Sequence, residues 1–120
     1  MIERDLKKRT KRFALDIIHF IDTVPRDDAS RILAKQLLRA ATSVGANYRS
    51  ACRAKSNADF INKMGTVEEE ADESGSWLEL LREAGKVVDT QVSALLREAN
   101  ELVAISVASI NTARRSGGRS

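Results

Sequence analysis

The chain has 120 residues, 42% of them hydrophobic and 31% charged, with a formal net charge of +3. That length fits one domain with a genuine core, and one Pro with six Gly supplies too few turns for an all-β chain. No run of about 18 apolar residues marks a membrane span, and the basic start MIERDLKKRTKRF lacks a following signal-peptide-like apolar region, so a cytoplasmic protein is expected. Cys52 is the sole cysteine, which excludes an intrachain disulfide and fits a reducing compartment.

The net charge conceals a division. Residues 1–55 carry 13 Lys and Arg against 6 Asp and Glu (+7), whereas residues 56–120 carry 7 against 11 (−4). A basic half suits nucleic-acid binding, and a basic half beside an acidic half suits contacts between subunits equally well.

From Ile2 to about Thr23, the apolar residues Leu6, Phe13, Ile17, Phe20, Ile21 and Val24 recur at three- and four-residue steps, which predicts an amphipathic helix stopped by Pro25. Its outer face carries Arg4, Lys7, Lys8, Arg9, Lys11 and Arg12. A solvated helix face and a phosphate-contacting face share this pattern.

A second helix is expected from about residue 29, capped by Asp28 or Ser30, to about Lys55. Its buried stripe is Ile32 or Leu33, then Leu37, Ala40, Ala41, Val44, Tyr48 and Ala51. Gly45 weakens an isolated helix by about 1 kcal/mol relative to Ala, so its use is close approach by a neighbouring helix. Ser56-Asn57-Ala58-Asp59 is a capping-box-like start for a third helix over about 57–84, with Phe60, Met64, Val67, Ala71, Ser74, Leu78 and Leu81 at alternating four- and three-residue steps, a bundle seam.

If these two helices pair antiparallel about the tight turn, positions face each other when their numbers sum to roughly 112. Ala41 then meets Ala71, Asn47 meets Gly65, Leu37 meets Gly75, and Arg39 meets Glu73 with Glu70 one turn away. Gln36, Arg39, Asn47, Glu70 and Glu73 therefore form the expected structural polar network, with a partly buried ion pair whose truncation would cost about 3–5 kcal/mol.

Gly85 ends the third helix in this reading, Val87 and Val88 tuck the loop under the core, and Asp89 or Thr90 caps a fourth helix over about 90–113. Ile105, Val107 and Ile18 lie outside the narrow core seams, extra apolar width that points to subunit contacts. The stretch 114–120, with Arg114, Arg115 and Arg119, is Gly/Ser-rich and basic, hence expected to be mobile. The domain reading is thus one bundle over 1–113 and a basic tail.

Catalytic and metal signatures are thin. His19 and Cys52 form no ligand cluster, and the run Glu68, Glu69, Glu70, Asp72, Glu73 lacks the Glu-x-x-His pairs of di-iron bundles, so neither a metal nor a cofactor is expected. No glycine loop to cradle phosphate is present. The aromatic residues Phe13, Phe20, Tyr48, Phe60 and Trp77 fall on or beside apolar stripes, leaving few to stack on bases. Any nucleic-acid binding would rest on Lys and Arg contacts to phosphate, with little sequence preference and steep salt dependence.

The central hairpin also carries a family pattern: Gln36, Arg39-Ala40-Ala41, Ser43-Val44 and Asn47, then Ser56, Phe60, Glu70-Ala71-Asp72-Glu73-Ser74 and Trp77-Leu78-Glu79-Leu80-Leu81. This set resembles the bacterial four-helix-bundle proteins known as intervening-sequence proteins of large-subunit ribosomal RNA genes. The resemblance implies an all-α, antiparallel up-down-up-down four-helix bundle that assembles into a ring-shaped homopentamer without catalytic activity. A group similar in fold, the accessory variability proteins of diversity-generating retroelements, engages a reverse transcriptase and nucleic acid through a basic pentamer surface. The chain departs from the pattern at Tyr48-Arg49-Ser50, where many members read Ile-x-Glu-Gly.

The expectation is a non-enzymatic, homo-oligomeric scaffold that binds RNA or DNA through Arg4, Lys7, Lys8, Arg9, Lys11 and Arg12, assisted by Arg114 and Arg115, with a reverse transcriptase or another protein as a further partner. The rival expectation is a protein–protein adaptor or structural oligomer without nucleic acid.

Overall fold

The computed structural model describes residues 3–117, and side chains from residue 5 to residue 117. It contains helices α1 (Glu3–Ile21), α2 (Asp28–Ala51), α3 (Asn57–Glu83) and α4 (Asp89–Gly117). Each helix packs against its neighbours in the cycle α1–α2–α3–α4, and among the described residues the backbones of the diagonal pairs stay farther apart. Cross-helix pairs fix the directions: Arg39 meets Glu73 between α2 and α3, and both Asn57 with Ala113 and Arg82 with Asp89 join α3 to α4. The two α3–α4 pairs each set the start of one helix beside the end of the other, and the short turns between α1 and α2 and between α2 and α3 reverse the chain, the arrangement of an up-down bundle. The bundle measures 53 × 21 × 19 Å.

The apolar stripes close on one core. Phe13, Ile17, Leu37, Met64, Leu78, Leu81 and Leu102 are its largest fully buried side chains. Between Ile32 and Leu33, Leu33 packs against the core, whereas Ile32 is 63% exposed. Val87 is buried as expected, but Val88 is 61% exposed because the loop turns it outward before α4 begins.

Local chemistry sets the helix ends. Asp27, rather than Asp28 or Ser30, caps α2: its carboxylate accepts from the Ser30 backbone N–H (3.1 Å) and from the Ser30 hydroxyl (2.8 Å). The two hydrogen bonds place the cap one residue earlier than the sequence indicates and turn Ser30 into the core. α2 stops at Ala51 rather than near Lys55, since the Lys55 N–H turns to Asp59 Oδ2 (3.0 Å) and Ser56 is extended to cap α3 through the Asp59 N–H (3.0 Å). At the end of α3, Gly85 has φ +73° and the backbone bonds Lys86 N–H to Leu81 and Gly85 N–H to Arg82 complete a Schellman turn. α4 continues through Arg114 and Arg115 to Gly117, past the expected boundary at 113.

The facing positions of α2 and α3 follow the expected register for Arg39 and Glu73. The glycine contacts differ. Gly75 looks toward Ala99, Asn100 and Leu96 of α4 instead of Leu37, and no neighbour lies within 4 Å of a Cβ placed on Gly65, so Asn47 does not close on it. Gly45 does serve close approach: a Cβ there would lie 3.2 Å from Thr10 Oγ1 of α1.

Candidate functional site

The Thr10–Gly45 contact brings α1 and α2 together. Antiparallel pairing about it, with numbers summing near 55, sets Lys7 level with the last turn of α2. A groove of about 610 Å³ opens there, with Thr10, Thr42, Gly45 and Ala46 between walls of Lys7, Lys8 and Lys11 on one side and Arg49 and Arg53 on the other. Among the described residues, no carboxylate or aromatic side chain lines it. Lys8, Lys11, Arg49 and Arg53 are exposed or at the rim and make no ion pair among the described residues. Packing thus converts two separate basic stretches into one two-walled cationic strip, which can hold an anionic chain.

The predicted basic residues separate on inspection. Lys7, Lys8 and Lys11 converge on the groove. Arg12 points along its own helix to Asp16 (3.6 Å). Arg9 turns away to α4, where its Nε and Nη2 donate to both oxygens of Glu98 at 2.7 and 2.8 Å. That hydrogen bond, more than the nearby charges, holds the guanidinium above its ordinary pKa. Arg114 and Arg115 lie in the last turn of α4, at the same end of the bundle but outside the groove, with Arg115 donating to Thr112 (3.3 Å). The side chain of Arg4 and all of Arg119 lie outside the described residues.

Arg49 and Arg53 are the groove residues that sequence reading did not assign. Their four-residue spacing at the end of α2 was visible. What connects them to Lys7 and Lys11 is the α1–α2 register, which only Gly45 and its small partner side chain could have indicated.

Most of the polar network gathers on the α2–α3 seam. Arg39 donates to Gln36 Oε1 (3.3 Å) and to Glu70 Oε2 (3.1 Å), and its Nη2 lies against Glu73 Oε2. The side chains of Arg39, Glu70 and Glu73 are 48%, 16% and 37% exposed. Asn47 stays apart and donates to Ser43 O of its own helix (2.8 Å). Asp59, at the base of α3, accepts from the Lys55 N–H and then from Lys63 (2.9 Å), which lower its pKa.

A larger cleft of about 830 Å³ opens between α1, α4 and the α2–α3 turn, with Leu6, Tyr48, Cys52, Phe60 and Ile105 among its walls and, among the described residues, no charged side chain. Cys52 is half-buried there, and His19 is exposed on α1. Among the described residues, no group of three His, Cys, Asp or Glu side chains could hold a metal ion, and no helix is long and apolar enough to cross a membrane.

Fold and surface together define an all-α four-helix protein with up-down packing and a cationic groove on one face. The chain belongs to the 23S rRNA-intervening sequence protein family, whose model matches residues 3–108. It is also similar to a crystal structure from Bacteroides thetaiotaomicron, a protein of unknown function from the S23 ribosomal protein family. The two share 33% sequence identity and superpose with a TM-score of 0.80, over 87% of this chain and 96% of that one. No functionally curated protein matches it.

Proposed function

We propose that this protein is a non-enzymatic, oligomeric accessory scaffold that binds RNA or DNA through phosphate contacts. The observation that carries this reading is the α1–α2 groove, where Lys7, Lys8, Lys11, Arg49 and Arg53 converge with no carboxylate among them. Phosphate is the anion that a row of flexible cations accepts without further chemistry. Homo-oligomer formation is supported by Leu15, Ile18, Ile32, Leu80 and Val107, large apolar side chains left 38–63% exposed on the isolated chain. Oligomerisation would repeat the groove and raise avidity for a long polyanion.

The test is light scattering of the purified protein at low and high salt, with and without a mixed RNA and DNA pool. A stable oligomer that gains mass with nucleic acid only at low salt supports the reading. An oligomer that ignores nucleic acid at every salt favours the adaptor alternative, for which the same exposed apolar side chains provide protein-binding surface. A protein that stays monomeric throughout removes the oligomeric half of the proposal.

A further inference from the structure

We propose that the α1–α2 groove is a single-strand site: it takes one phosphodiester strand lengthwise, phosphates inward and bases turned to solvent, and discriminates against a duplex. The inference rests on the nucleic-acid reading above and specifies the form of the ligand.

Three features carry it. The cations form successive levels along the groove: Lys11 at one end, Lys7 opposite Arg49 in the middle, and Arg53 just beyond the end of α2. One helical turn separates neighbouring levels, about 5–6 Å of rise, comparable to the step between adjacent phosphates of one strand. The small side chains Gly45, Ala46 and Thr42 let a backbone settle between the walls.

Among the described residues the groove also has no aromatic side chain, so bases find no stacking surface and the phosphates are the part of the strand that is recognised. Binding of this kind is indifferent to base sequence.

The third feature is the charge on the α4 flank. Beyond α1, Arg9 is held by both oxygens of Glu98 with Glu101 nearby, so two carboxylates stand beside the strip there. The cluster of Arg39, Glu70 and Glu73 lies on the α3 side, about one helical turn past the Lys11 end of the groove. In B-form DNA the second backbone lies across a groove about 6–12 Å wide, and laid toward α4 on a bundle 21 × 19 Å in section it meets the α4 carboxylates. A lone strand avoids that repulsion.

The experiment is fluorescence anisotropy with a labelled short oligonucleotide as single-stranded RNA, as single-stranded DNA and as the matching DNA duplex. Both single strands are expected to bind at least about tenfold more tightly than the duplex. For three or four phosphates, log K against log salt should have a slope between about −2 and −3. Lys11→Glu and Arg49→Glu should each weaken single-strand binding several-fold, while Arg97→Glu on α4 should not, with circular dichroism melts verifying the fold. If Arg49→Glu unfolds the chain, Arg49→Gln replaces it. Duplex binding as tight as single-strand binding overturns the single-strand assignment but keeps the nucleic-acid reading. Absence of binding to any probe overturns both, and single-strand binding unaffected by Lys11→Glu and Arg49→Glu places the strand elsewhere.

Discussion

Arg9 and Glu98 form a two-pronged ion pair between α1 and α4, with both contacts under 3 Å and each side chain 29% exposed. α1 and α4 are the neighbours whose backbones approach least in the bundle, so a directional bond there closes the cycle at its widest seam. The guanidinium fork matches a carboxylate in geometry as well as charge. Arg9 is thereby structural, although it stands in the same basic run as the groove lysines.

The first prediction separates Arg9 from that run. Replacing Arg9 with Met should lower stability by about 1–2 kcal/mol, and a double-mutant cycle with Glu98→Gln should give a coupling of about 1 kcal/mol. Nucleic-acid affinity should change little beyond the loss of one distant charge. Denaturant melts measure the first quantity and anisotropy the second, and a loss of affinity equal to that of Lys11→Glu would return Arg9 to the interface.

Arg39 is predicted to matter less than a buried charge would. Its side chain is half exposed, so water screens its attraction to Glu70 and Glu73. Arg39→Ala should cost about 1 kcal/mol, falling as salt is added, rather than the 3–5 kcal/mol typical of a broken buried pair. Urea melts at low and high salt test this, and a large loss independent of salt would place the pair in a drier environment.

The contrast explains what the sequence could reveal. The 3.6-residue period and the caps specified four helices, and the number sum near 112 joined Arg39 to Glu73, because these depend on chain order and one tight turn. Side-chain exposure is set by how far apart helix surfaces lie, which periodicity does not encode, so how much of Arg39 meets water was not legible in the sequence. The groove was half legible: Lys7, Lys8 and Lys11 stood out as a run, whereas Arg49 and Arg53 needed the α1–α2 register. Asp27 was missed because Asp27, Asp28 and Ser30 all suit a cap, and the choice follows from which one leaves Ser30 facing the core.

Asp27 yields a pH prediction. Its hydrogen bonds from the Ser30 N–H and hydroxyl, with Lys86 nearby (3.2 Å), depress its pKa from 3.8 to about 2. A carboxylate with a depressed folded-state pKa stabilises the protein fully above its unfolded value and loses that contribution as pH falls through the folded one. The Asp27-dependent part of the melting temperature should therefore be constant above about pH 5 and decline between pH 3.8 and about 2. Asp27→Asn retains a cap without the charge, so the difference in melting temperature between wild type and variant should shrink across that acidic window. A difference that stays constant with pH would show that the charge contributes nothing.

The last prediction concerns the contact that sets the groove walls. A Cβ on Gly45 would sit 3.2 Å from Thr10 Oγ1 and 3.4 Å from Thr10 Cβ, tight but not impossible. Thr10 is almost wholly buried, and its hydroxyl donates to Lys7 O (3.2 Å), so its room to retreat is small. Gly45→Ala gains about 1 kcal/mol of helix propensity and loses a similar amount to crowding, leaving stability nearly unchanged. Gly45→Val adds methyl groups against Thr10 and should cost about 1–3 kcal/mol. Thr10→Ala removes the nearest obstructing atom, Oγ1, so combining it with Gly45→Ala should give a double variant more stable than the sum of the single changes by about 0.5–1 kcal/mol. Chemical denaturation of the four proteins in the cycle measures that coupling; strict additivity would mean that Thr10 and Gly45 do not hold α1 against α2.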